Sequence, residues 1–129
     1  MKRVKATALQ MEYSFRQPVD ISQVRFEWEE LVVTLMSTGD RKAAVVRFAE
    51  VSGFRMLDEG DLLEFWPACS KEKGWLFAID ENGWLDFELS RAGFLQDKGQ
   101  GSVEYFIASQ NRCVSVISSA APNVVLYSI

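Results

Sequence analysis

The sequence predicts a mainly β fold, an antiparallel sandwich or partly open barrel, becoming α+β only if one short helix is counted. Three observations predict it. Apolar residues recur with period two along most of the chain. About nine such runs follow one another at spacings of roughly 8–14 residues, with turn residues between them. No amphipathic helical pattern runs longer than two turns, which disfavours strand–helix–strand units.

The elements follow in order. Leu9, Met11, Tyr13 and Phe15 alternate with Gln10, Glu12, Ser14 and Arg16, the pattern of a half-buried strand. Gln17-Pro18-Val19-Asp20 reads as a turn. Val24, Phe26 and Trp28 then alternate with Arg25, Glu27 and Glu29. At Glu29-Glu30 the apolar phase slips, because Leu31, Val33 and Leu35 continue on odd numbers. A bulge or a tight turn must absorb that shift. Ser37-Thr38-Gly39-Asp40 is a turn. The strand from Ala43 to Val51 places Ala44, Val46 and Phe48 on one face, and Ser52-Gly53 breaks it. Phe54 to Leu57 is a short strand closed by Asp58-Glu59-Gly60.

Asp61 to Trp66 reads two ways. Asp61 caps a short helix ended by Pro67, or the segment is a strand. Ala68 to Gly74 is a polar loop. Trp75–Ile79 and Trp84–Leu89 flank Asp80-Glu81-Asn82-Gly83, and Asn-Gly between two aromatic-rich runs predicts a hairpin. Arg91-Ala92-Gly93 turns, and Gln96 to Ser102 is a loop. A second hairpin spans Val103 to Ser118 about a turn at Gln110-Asn111-Arg112. After a turn at Ala120-Ala121-Pro122-Asn123 comes a final strand, Val124 to Tyr127.

The 129 residues match one domain, 1–129, of roughly 100–200 residues. Histidine is absent, which excludes Ser-His-Asp and Cys-His catalysis and His-ligated metals. Two cysteines cannot build a four-thiolate zinc site. No motif nominates a cofactor, a metal or a nucleophile, so the expectation is no enzyme, no cofactor and no metal. The glycines form neither a dinucleotide-binding nor a phosphate-binding loop.

The net charge is −4, spread as +3 over residues 1–16, −5 over 17–64 and −2 over 65–129. An acidic balance disfavours nucleic acid, whose phosphates need a basic footprint; it reads first as solubility and leaves room for a basic protein partner. The start, Met1-Lys2-Arg3-Val4-Lys5, has the charge of a signal sequence, but Thr7, Gln10 and Glu12 interrupt the apolar stretch that should follow. No run approaches the ~18 apolar residues of a membrane span. A cytoplasmic location with Cys69 and Cys113 reduced is therefore expected.

Three constellations bear on function. Asp58, Glu59, Asp61 and Glu64 crowd four carboxylates into one short segment. They read as a solvated turn, or as the acidic half of a contact with a basic partner. Trp66 and Trp75 flank the polar loop and would meet beside it; exposed tryptophans anchor interfaces, and buried ones pack a core. Asp58, Glu59, Asp61, Glu64, Trp66 and Trp75 are thus the candidate partner-binding residues. Alternatively, Trp66, Trp75 and Trp84 wall a small-ligand pocket. Glu27, Glu29 and Glu30 read as the polar face of a strand, suited to a basic partner or to edge protection.

The segment Val45–Trp66, with Gly74-Trp75-Leu76-Phe77, Gly83-Trp84-Leu85 and Glu104-Tyr105-Phe106-Ile107, resembles small uncharacterised bacterial β-rich proteins over residues 45–118. Some proteins of similar architecture look like immunity proteins that neutralise partner toxins. The resemblance implies a bacterial cytoplasmic protein that works by contact and carries over no catalytic residue. The function expected is a non-catalytic protein-binding module of immunity or inhibitor type. Small-ligand binding is the alternative, and a structural role with a homodimer built from strand edges is the third reading.

Overall fold

The structure, a computed structural model, describes residues 2–9 and 15–129. It is an open sandwich of two antiparallel sheets. One sheet has four strands in the order β2 (Val19–Glu27), β3 (Glu30–Ser37), β4 (Lys42–Phe48) and β9 (Asn123–Ser128). The other has five, in the order β1 (Lys5–Ala8), β6 (Leu76–Glu81), β7 (Val103–Ile107), β8 (Arg112–Ser118) and β5 (Val51–Asp58). One helix, α1, covers Trp84–Leu89.

Alternation decides which side chains meet between the sheets. Leu31, Val33 and Leu35 of β3 and Ala44, Val46 and Phe48 of β4 face Tyr105 and Ile107 of β7 and Val114 and Val116 of β8. The opposite phase of the five-stranded sheet is apolar as well. Phe77, Ile79, Phe106 and Cys113 face outward and are covered by Leu62, Phe65 and Cys69. A covered outer face makes a third layer, and the candidate site lies in it.

Of the two expected hairpins, the one over Val103–Ser118 forms, as β7–β8 with Asn111 at φ 68° in its turn, and the turn expected at Ser37–Asp40 joins the paired strands β3 and β4. The phase slip near Glu29 is a tight turn. Trp28 and Glu29 take φ of 54° and 63° between the paired residues Glu27 and Glu30. Glu27, Glu29 and Glu30 therefore sit at a hairpin end rather than along one strand face.

Several expectations are corrected. Ser52-Gly53 does not break a strand. The chain bends at Ala49-Glu50, where Glu50 has φ 52° and the chain passes from one sheet to the other, and Gly53 lies at a register shift inside β5. The alternation of Leu9 to Phe15 falls largely on Gln10–Ser14, outside the described residues, and the observed strand is β1, just before it. Asp61–Trp66 is neither strand nor capped helix. Glu59–Asp61 forms a single 3-10 turn capped by Asp58, whose Oδ1 accepts the Gly60 N–H at 2.8 Å. Further turns follow, with the Phe65 N–H on the Leu62 carbonyl and the Cys69 N–H on the Phe65 carbonyl.

The largest correction concerns Trp84–Leu89, which is α1 and not the second strand of a hairpin. A hairpin would need a free edge on β6. Both of its edges are taken, by β1 and by β7. The chain instead turns after Asn82, at φ 66°, and lays Leu85 onto the sheet.

Candidate functional site

The site is built where α1 and the 59–69 segment cover the outer face of the five-stranded sheet. Between them opens a cleft of about 320 Å³, lined by Arg55, Glu64, Phe65, Gly83, Trp84 and Phe87 together with Lys2 and Asn82.

Phe65 forms one wall. It is fully buried and stacks on Phe106 at 4.7 Å between centroids. Trp66, beside it, packs edge-on to Phe106 at 5.9 Å and donates its Nε1–H to the Glu59 carbonyl at 3.0 Å. That bond ties Trp66 back to the start of the segment. Trp84 forms the opposite wall, with the Arg55 guanidinium 5.1 Å from its ring centroid, a cation–π geometry.

Glu104 lies beneath the cleft. It points outward from β7 and is 1% exposed. Its Oε1 accepts the Leu85 N–H at 2.8 Å, so the carboxylate ties the first turn of α1 to the sheet. Its Oε2 has no hydrogen-bond partner among the described residues, and neither has the buried Nε of Arg55. Burial raises the Glu104 pKa above 4.5, against the pull of the Leu85 and Trp84 N–H groups and of Arg55. Burial likewise lowers the Arg55 pKa, opposed by Glu104, Glu64 and Glu88. Burial acts upward on Asp86 too. There the Lys98 ammonium and the Asn82 N–H prevail and hold it below 3.8.

Gly83 is required by space. Its φ of −95° suits any residue, but a Cβ there would stand 2.6 Å from both Glu104 Oε1 and Ile79 Cγ2. The short helix approaches the sheet closely because nothing projects from Gly83.

The expected partner residues are only partly brought together. Asp58 caps the 3-10 turn, Glu59 lies 4.0 Å from the Lys71 ammonium, Asp61 is exposed and Glu64 reaches the cleft. Trp66 belongs to the same segment. Trp75 does not. It is 5% exposed and packs edge-on to Phe15 at 5.1 Å between the two sheets. Trp66 and Trp75 thus sit on opposite faces of the five-stranded sheet: Trp75, just before β6, packs into the inner core together with Leu76, although the odd-numbered Phe77 and Ile79 that follow it face outward. For the same reason Trp66, Trp75 and Trp84 do not wall one pocket; of the three, Trp84 alone lines the cleft.

Arg55, Gly83, Phe87 and Glu104 were not singled out from sequence. One signal was present: Glu104 is a lone charge in the apolar run Val103–Ile107. A charge in such a run is buried with a purpose-built partner or lies on an open face. Among the described residues no group of three or more Asp, Glu and Cys side chains is placed to hold a metal ion. No helix of those residues is long and apolar enough to cross a membrane.

Comparison with protein-family models, with curated proteins and with solved structures gives no match.

Proposed function

We propose that the chain is a non-catalytic protein-binding module that takes an apolar, basic segment of a partner at the cleft between Glu64 and α1. One observation carries the reading: Phe87, on the rim of the cleft, is 72% exposed, and Leu63, next to Glu64 in the chain, is also 72% exposed. Large apolar side chains held out of a folded surface mark contact sites, and a partner covering them removes that area from water. Glu64 on the lining and Asp61 nearby in the chain attract a basic group at their side of the cleft, facing the Arg55 and Lys2 cations that also line it, and such local attraction speeds encounter. The resemblance of residues 45–118 to small uncharacterised bacterial β-rich proteins, some of them immunity-protein-like, accords with a cytoplasmic protein that acts by contact.

The test uses the tagged full chain to capture a partner, which is then purified and titrated against variants. Phe87→Ala and Glu64→Lys should each weaken binding about tenfold or more, which corresponds to roughly 1.4 kcal/mol. Both side chains are at the surface, so the melting temperature should hold. Equal affinity for wild type and both variants refutes the site. Failure of any partner to bind the purified chain refutes the function.

A further inference from the structure

The sandwich has four edge strands, and they are not alike. β1 carries Lys5 and a register shift between Lys5 and Ala6. β2 carries Asp20, Arg25 and Glu27 and shifts register between Ile21 and Gln23. β5 carries Arg55 and Asp58 and shifts between Val51 and Gly53. Charges and bulges of this kind stop a free edge from pairing with another chain.

β9 has neither. Its sequence is Asn-Val-Val-Leu-Tyr-Ser, without charge, and it pairs with β4 in unbroken register from Asn123 to Ser128. Among the described residues no strand pairs with its other edge. Val124 and Leu126 pack towards the core, while Val125 and Tyr127 are 38% and 52% exposed on the outer face. Their neighbours across β4 are Val45 and Ala43, so the outer face is apolar beside this edge.

We propose that two copies of this chain join β9 to β9, antiparallel, to make one continuous eight-stranded sheet. A second copy fits for three reasons. An antiparallel edge pairs with itself about a two-fold axis, so both partners use the same surface. The strand is uncharged in a chain of net charge −4, so a second copy meets no repulsion there. Parity also permits it. An axis normal to the sheet keeps inner faces on one side, so odd residues must oppose odd ones. Centred on Leu126, the pairing sets Val125 against Tyr127 of the other copy, an aromatic–β-branched cross-strand pair.

Sedimentation equilibrium of the purified full chain over a range of concentrations tests this. The wild-type mass should rise from 14.6 kDa towards twice that value. The double variant Val125→Lys, Tyr127→Lys should remain at 14.6 kDa. Both positions point to solvent in the single chain, so its melting and circular dichroism should match the wild type's at low concentration. As a second measurement, the double variant Val125→Cys, Tyr127→Cys should form interchain disulfides on mild oxidation. A wild-type chain that stays at 14.6 kDa throughout overturns the proposal, as does a lysine variant that still doubles its mass. A chain that remains single but accepts a strand from a different protein overturns it in favour of β-augmentation by that partner. β9 lies in the other sheet from the cleft, so none of these outcomes bears on the cleft's function.

Discussion

Adding one methyl group at Gly83 should be among the most damaging small changes available to this chain. The alanine Cβ would lie 2.6 Å from Glu104 Oε1, 2.9 Å from Oε2 and 2.6 Å from Ile79 Cγ2. Both neighbours are buried, Glu104 at 1% and Ile79 at 5% exposure, so neither has space to withdraw. Overpacking of this kind costs about 1–3 kcal/mol. Moving the carboxylate also breaks the bond from the Leu85 N–H, a charge-assisted interaction worth about 1.5–3 kcal/mol. Stiffening the unfolded chain returns about 0.4–1 kcal/mol. The net expectation for Gly83→Ala is a loss of about 3 kcal/mol. With about 2.1 cal/mol/K of unfolding entropy per residue, that is a fall in Tm of roughly 11 °C. Urea and thermal unfolding read it directly. Gly93→Ala is the control, since its Cβ would meet nothing nearer than 3.6 Å, and it should stay within about 0.5 kcal/mol of wild type. The double variant Gly83→Ala, Glu104→Ala should be at least about 1 kcal/mol more stable than the two single losses predict when added. A Gly83→Ala chain as stable as the Gly93→Ala control refutes the argument.

Three further outcomes follow from the same layer. Because burial raises the folded-state pKa of Glu104 above 4.5, the folded chain holds that proton more tightly than the unfolded chain. The contribution of Glu104 is therefore fully present below 4.5 and is lost as pH rises through the folded value. Glu104→Gln should remove this fall, seen as a wild-type-minus-variant stability difference that declines with pH above 4.5; a flat difference refutes it. Asp86, held low, acts in the opposite direction and cancels in that comparison. Phe65→Ala, which removes the ring stacked on Phe106, should cost about 3–5 kcal/mol by denaturant titration, and a loss under about 1 kcal/mol would deny Phe65 its role in the outer core. Cys69 and Cys113 are buried, with thiol pKa values pushed up to about 12 and about 11, mainly by burial. A thiol reagent should label neither in the native chain and both after denaturation, and rapid native labelling of either contradicts its placement.

Period-two alternation, read residue by residue, was enough for the mainly β class, the β7–β8 hairpin, the turn between β3 and β4, and the shared face of Ala44, Val46 and Phe48. Those features are local: a pleated strand presents alternate side chains whatever lies further along the chain. Asp58, Glu59, Asp61 and Glu64 were legible as a cluster for the same reason, being neighbours in sequence. What each does was not. One caps a turn two residues on, one faces Lys71 and one reaches the cleft, and the last two roles depend on residues further along the chain. The tertiary structure alone decided that Trp84–Leu89 is a helix, since both edges of β6 were already occupied. It alone sent Trp66 and Trp75 to opposite faces of one sheet, and it alone set Gly83 against Glu104. Which edges pair and which face is covered twice are fixed by contacts between distant segments, and local periodicity carries no record of those.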